Sequence, residues 1–369
     1  MASQITDFKA LFLNDTPLID TRAPIEFIKG SFPKAVNLPL MMDDERAAVG
    51  TEYKQKGQDA AIALGHNLVS GSVKDQRIAA WRDFTLAHPN GALFCFRGGM
   101  RSHITQQWLR ESGADYPLVT GGYKALRTWL MEELTRTANN QNIVVLAGRT
   151  GVAKTVLLNQ IPSHYALGAL DLEGLAHHRG SAFGRRPSPQ PTQINFEIAL
   201  AIAMLKHEAK GYDTLILEDE SQLIGRCAIP APLLQQMQQA SLWVLEAPIQ
   251  ERVEHSYHAY ILSNLEEWTI QLEPQEAAFK AFSDSLERSA YSIRKRLGGI
   301  RYAELNKRMS QALDEHRQGN PEAHKKWIHF LLTDYYDPMY DYQLSKRGHR
   351  IESTGDRVTL MSKLQQFRV

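Results

Sequence analysis

A cysteine, two glycines and two arginines fall within seven consecutive positions, Cys95-Phe96-Arg97-Gly98-Gly99-Met100-Arg101. A thiolate is a strong nucleophile, but a free thiol is mostly protonated at neutral pH. A cysteine at a strand end, ringed by backbone N–H groups and facing a helix N-terminus, has its thiolate stabilised. Gly98 and Gly99 let the backbone curl so that those N–H groups turn inward. Arg97 and Arg101 add fixed positive charge, so Cys95, Arg97 and Arg101 are the candidate catalytic set. A second loop, Gly148-Arg149-Thr150-Gly151-Val152-Ala153-Lys154-Thr155, fits G-x-x-x-x-G-K-[ST] with Ala153 in place of the second glycine. Gly148 and Gly151 permit a phosphate nest, Lys154 would reach bridging phosphate oxygens, and Thr155 could hold a metal ion. Ala153 sets a β-carbon where backbone usually approaches phosphate, which weighs more against nucleotide hydrolysis than against diphosphate binding.

The elements around the loops must deliver them to one end of a sheet. Ala92-Leu93-Phe94 reads as a buried strand ending at Cys95, and Ser102–Glu111 as the helix that follows. Leu18-Ile19-Asp20, Val36-Asn37-Leu38-Pro39 and Leu118-Val119 are further short strands, with a helix running to Leu134. Ile143–Ala147 leads into the second loop, and a helix opens near Lys154. Leu215-Ile216-Leu217-Glu218-Asp219, an apolar strand ending in acids, is a candidate partner for that loop, with Glu218 and Asp219 in a metal or base role. Ser241–Glu246 is another strand. From about Ile249 the pattern turns helical. Strands alternating with helices predict parallel sheets, hence an α/β fold. The polar run Thr137–Asn142 places a boundary between a domain at 1–136 and another at 142–369.

The bulk numbers bound the rest. The chain has 369 residues, a formal net charge of +1 and two cysteines, Cys95 and Cys227. A disulfide framework is excluded and a reducing compartment fits. Nucleic-acid binding must come from local patches, not a global field. Arg294, Lys295, Arg296 and Arg301 form such a patch, with a solvated helix face as the plain alternative. No basic leader or membrane-length apolar run is present, so the expectation is a cytoplasmic protein with no membrane partner. Adjacent His177 and His178, taken as strand residues, would face opposite ways and not share a metal. Tyr335–Tyr342 offers aromatic faces for stacking or for core packing.

The first third resembles a rhodanese domain over about residues 5–133. Asp20-Thr21-Arg22, Glu26-Phe27, Gly30–Asn37 and Gly121-Gly122-Tyr123 carry that resemblance. It implies that Cys95 carries sulfur or selenium as a persulfide or its selenium counterpart. Five residues separate Cys95 from Arg101, one more than in the common rhodanese loop. That spacing equals the C-x5-R loop of cysteine phosphatases and suits a tetrahedral oxyanion. The histidine that usually precedes the phosphatase cysteine is absent; Phe94 stands there.

A rhodanese-like half joined to a P-loop half resembles the tRNA 2-selenouridine synthase family. Met41, Asp44–Gly50, Asp171–Gly184 and Tyr335–Tyr340 extend the match, while Val152 and Ala153 depart from the family's glycine-containing loop. The resemblance implies a tRNA-modifying transferase acting on wobble 2-thiouridine. Its substrates would be geranyl diphosphate and selenophosphate, with no tightly bound cofactor. A selenophosphate supplier is an implied partner, and Mg2+ is admissible at the P-loop. Two alternatives stay open on the residues alone. One is a P-loop kinase or nucleotidase fused to a thiosulfate sulfurtransferase. The other is a non-enzymatic sulfur-carrier adaptor.

Overall fold

The computed structural model describes residues 4–161 and 165–367. The chain divides into two compact units, Met1–Arg136 with Ile194–Lys206, and Thr137–Gln193 with His207–Val369. Both are α/β units built on parallel sheets. Among the described residues no helix is long and apolar enough to cross a membrane.

The first unit holds β1 (Gln4–Ile5), β2 (Leu18–Asp20), β3 (Ala35–Asn37), β4 (Ala92–Phe94) and β5 (Leu118–Val119) in the order β1-β5-β4-β2-β3. All neighbours run parallel. Leu18, Ile19, Leu93 and Phe94 are fully buried, as expected of central strands covered on both faces. Trp81, Trp108 and Tyr116 pack over Ile19 and Leu93 to complete the core.

The Asp20-Thr21-Arg22 motif turns out to be a tie between strand ends. Arg22 Nη2 and Asp20 Oδ2 lie 2.6 Å apart in full burial. Thr21 Oγ1 donates to the Phe94 carbonyl at 2.9 Å. The Arg22 guanidinium sits 3.7 Å from the centre of the Tyr123 ring. Burial raises the Asp20 carboxyl despite this partner. Such a pair adds little net stability but fixes the loops around it, because either partner alone would be a stranded charge.

The second unit holds β6 (Asn142–Ala147), β7 (Leu167–Leu170), β8 (Thr214–Glu218), a short antiparallel hairpin β9 (Leu223–Ile224) and β10 (Cys227–Ala228), β11 (Ser241–Leu245) and β12 (Ile351–Gly355). Its main sheet runs β12-β11-β6-β8-β7 with every pair parallel. A separate helical core gathers Phe183, Phe282, Trp327 and Leu331.

Three findings differ from the sequence reading. The helix Gly122–Asn140 runs through most of the polar segment, and the division between the units falls inside that helix, after Arg136. The stretch Ile194–Lys206 of the helix Gln193–Ala209 groups with the first unit. There Glu197 pairs with Arg127 at 2.9 Å, and Lys206 pairs with Asp15 at 2.6 Å. His177 and His178 follow the short helix Leu172–Leu175 in a turn, not a strand, with His177 at φ 51°.

Candidate functional site

Cys95 directly follows β4 and is only 3% exposed. The turn beyond it needs glycine. Gly98 has φ 63°, and a β-carbon there would come within 2.8 Å of the Gly121 nitrogen. Gly122 has φ 60°, and a β-carbon there would strike the Cys95 carbonyl. The Cys95 and Gly121–Tyr123 turns are thus clasped, with the Tyr123 N–H donating to the Cys95 carbonyl at 2.9 Å. The helix Met100–Glu111 starts directly after the turn. Buried Ser102 on its first turn donates from Oγ to Cys95 Sγ at 2.7 Å. The Cys95 thiol in turn donates to the Gly99 carbonyl at 3.9 Å.

The two arginines part company. Arg101 is half-buried and makes a two-pronged pair with Glu26, at 2.7 and 3.2 Å. Glu26 also meets Arg46 at 3.1 Å. Burial works against the Arg101 charge, but the Glu26 carboxylate outweighs it and raises the guanidinium above its ordinary range. Arg97 lies outside this arrangement. It is exposed, leans over the Phe96 ring at 5.9 Å, and borders a shallow hollow with Trp129 and Lys124. Arg97 sits in the open part of the turn, before the helix that carries Arg101.

In the second unit the P-loop joins β6 to a single helical stretch, Lys154–Leu158. Gly148 and Gly151 have φ 155° and 86°, and β-carbons there would come within 2.7 Å of the Leu245 and Arg252 carbonyls. Ala153 holds a left-handed conformation at φ 63°, ψ 45°. That costs an L-residue about 1–2 kcal/mol, so neighbours must hold the loop. Arg252 does so: Nε donates to the Thr150 carbonyl at 3.0 Å, while its other nitrogens grip Asp337. Arg149 forks onto Asp341 at 2.9 Å. The Tyr335–Tyr342 segment is thus a clamp on the P-loop as well as core, with Tyr335 and Tyr336 buried and Tyr342 exposed.

A hollow of about 840 Å³ opens over this loop. Lys154, Arg179, Arg185, Arg186, Arg296 and Arg347 all reach it. Arg179 and Arg186 share Glu267 at 2.6 and 2.8 Å. Arg347 forks onto Asp219 at 2.8 Å. Among the described residues Lys154, Arg185 and Arg296 form no ion pair. Tyr260, Tyr336, Met339 and Ile293 give the same hollow an apolar side. The buried Ser256 hydroxyl, which lines it, finds no hydrogen-bond partner among the described residues.

Glu218 and Asp219 are separated by their partners. Glu218 is fully buried and accepts a hydrogen bond from Thr155 Oγ1. Burial, then the nearby Glu173 and Asp171, push its carboxyl up to about 8. Burial and Glu173 raise Glu220 as well. Among the described residues the six cations that line the hollow outnumber its carboxyls, Asp171, Glu173, Asp219 and Glu220. Thr155 and Glu218, two groups that could share a cation, contact each other. Among the described residues no group of three or more His, Cys, Asp and Glu side chains is arranged to hold a metal ion.

The basic patch also divides. Arg296 turns to the P-loop hollow. Arg294 stacks over Tyr291 at 3.5 Å and donates to its carbonyl. Lys295 and Arg301 are exposed. The sequence reading missed Arg185, Arg347 and Glu26 as site residues. Only Glu26 had a signal, lying in a quoted motif. Cys227 is buried, with the Gln190 amide 3.7 Å from its sulfur. Burial pushes its thiol up, the opposite of activation.

With both loops placed, comparison with known proteins is decisive. The family described as tRNA 2-selenouridine synthase AAA domain matches residues 141–368. A tRNA 2-selenouridine synthase of Hahella chejuensis is 55% identical over 95% of this chain and 91% of its own. The chain belongs to the tRNA 2-selenouridine synthase family. Similar tRNA 2-selenouridine synthases occur in Pseudomonas fluorescens, 49% identical over 99% of both chains, and in Marinobacter nauticus, 52% identical over 94% of this chain and 93% of its own. A solved N-terminal domain from Clostridium difficile 630 matches 36% of this chain and 99% of its own at 33% identity, with a TM-score of 0.32.

Proposed function

We propose that this chain converts 2-thiouridine at the wobble position of tRNA to 2-selenouridine through an S-geranyl intermediate. The observation that supports this most is the hollow over Gly148–Thr155, where Lys154, Arg185 and Arg296, which form no ion pair among the described residues, face an apolar side made by Tyr260, Tyr336 and Met339. An isoprenoid diphosphate has that division of charge and grease.

In the first step the thiocarbonyl sulfur attacks C1 of geranyl diphosphate. The C1–O bond breaks, diphosphate leaves, and N3 of the base gives up its proton. Lys154 and the P-loop N–H groups take the charge on the leaving diphosphate. Alkylation turns a poor leaving group into a thiol.

In the second step selenium bonds to C2, the C2–S bond breaks, and geranylthiol leaves as N3 regains a proton. Selenium is already fully reduced in selenophosphate. Cys95 can free it without a redox partner by attacking phosphorus, which releases hydroselenide; water then returns the thiol and yields phosphate. Arg101 and the Ser102 hydroxyl support the thiolate. Selenophosphate from a supplying enzyme and tRNA are the partners, in the cytoplasm. Arg294, Lys295 and Arg301 remain candidates for phosphate-backbone contact.

Mass spectrometry of wobble nucleosides from cells lacking this protein tests the reading. The expected result is loss of 2-selenouridine with 2-thiouridine retained. Undiminished 2-selenouridine would remove it.

A further inference from the structure

The first unit carries a hollow of its own, about 730 Å³, that the steps above leave unused. It opens between the helices Asp43–Lys56 and Gln58–Leu68 and the first turns of Met100–Glu111. Its volume is ordinary for a small-molecule site. Val49, Ala61, Ile62, Ile104 and Trp108 make apolar walls. Met100 and Arg101, from the turn that carries Cys95, border it.

The rim is basic. Arg46, Lys54 and Arg101 all reach it. Arg46 and Arg101 share one carboxylate, Glu26, and among the described residues Lys54 makes no ion pair. Net positive charge therefore remains around an apolar cavity. A free isoprenoid would satisfy the walls but not the rim. A polyanion would satisfy the rim but not the walls. An apolar chain covalently attached to a polyanion satisfies both.

We propose that this hollow binds the ten-carbon isoprenoid chain of the S-alkylated wobble nucleoside, and so presents C2 of the base to the Cys95 loop. This rests on the two-step reading. It adds that the first unit, separately from the P-loop hollow, recognises the intermediate by its chain. When the C2–S bond breaks, the departing thiolate takes up a proton and leaves from this cavity. The chain then sets specificity for the selenium step through Val49 and Ile62.

The test uses the full-length protein, selenophosphate, and two tRNAs that differ only in the wobble base, S-geranyl- or S-methyl-2-thiouridine. The readout is the ratio of single-turnover selenation rates at limiting protein. For the unaltered chain the geranyl substrate should react at least tenfold faster. Ile62→Trp and Val49→Phe fill the hollow from two different helices and should bring the ratio towards one. A ratio unchanged in both variants overturns the proposal, even if absolute rates fall, because a general loss of fold lowers both rates alike. If the unaltered chain selenates the geranyl substrate with no preference over the methyl one, the hollow does not bind the chain. If it selenates neither tRNA, the two-step reading fails first and takes this inference with it.

Discussion

Replacing Cys95 with serine is expected to abolish 2-selenouridine formation while S-geranyl-2-thiouridine accumulates in tRNA. The thiol sits at the end of β4, 3% exposed, with the Ser102 hydroxyl 2.7 Å from its sulfur. Serine fits the same space and can keep that hydrogen bond, so the turn should persist. What changes is nucleophilicity, since an alcohol is far less acidic than a thiol. Removing a nucleophile from a site built around it typically costs roughly 10³-fold or more in rate. Quantifying tRNA nucleosides made by the variant checks this. Selenation at the unaltered rate would make Cys95 a packing residue. Geranylation lost with selenation in a folded variant would mean that the loop serves both steps.

The second large effect is expected from Lys154→Ala. Lys154 opens the helical stretch after the P-loop, and its ammonium is 3.4 Å from the Gly148 carbonyl. With no ion pair among the described residues to satisfy it, the ammonium is available to a diphosphate oxygen. Losing one charge-assisted contact should cost about 2–3 kcal/mol, or about 30- to 150-fold in geranyl diphosphate affinity. Selenation of tRNA already carrying S-geranyl-2-thiouridine should proceed, because no diphosphate takes part. Equilibrium binding of geranyl diphosphate and selenation of pre-geranylated tRNA measure the two halves. If the folded variant loses both, the assignment of one step to each loop fails.

The two loops were legible because buried parallel strands read as short unbroken apolar runs, and β4 and β6 deliver one loop each. Glycine marked the turns for the same reason the structure needs it, positive φ at Gly98, Gly148 and Gly151. Other parts left no such trace. β12, Ile351–Gly355, is an edge strand with no buried residue, so it shows neither a run nor an alternation. The helix Asp43–Lys56 also buries no residue, which removes its periodic signal, yet it walls the apolar hollow of the first unit. Pairings distant in sequence, such as Arg101 with Glu26 and Arg347 with Asp219, exist only once the strands are ordered. Arg97 and Arg101 looked equivalent beside Cys95 until the start of a helix at Met100 aimed one inward and left the other in the turn.

The central claim is that selenium enters by way of an S-geranyl intermediate. It is tested most directly by following the wobble base with purified protein and 2-thiouridine tRNA. Geranyl diphosphate alone should convert 2-thiouridine to S-geranyl-2-thiouridine, and later addition of selenophosphate should convert that species to 2-selenouridine. Formation of 2-selenouridine from selenophosphate with geranyl diphosphate wholly absent would contradict the account.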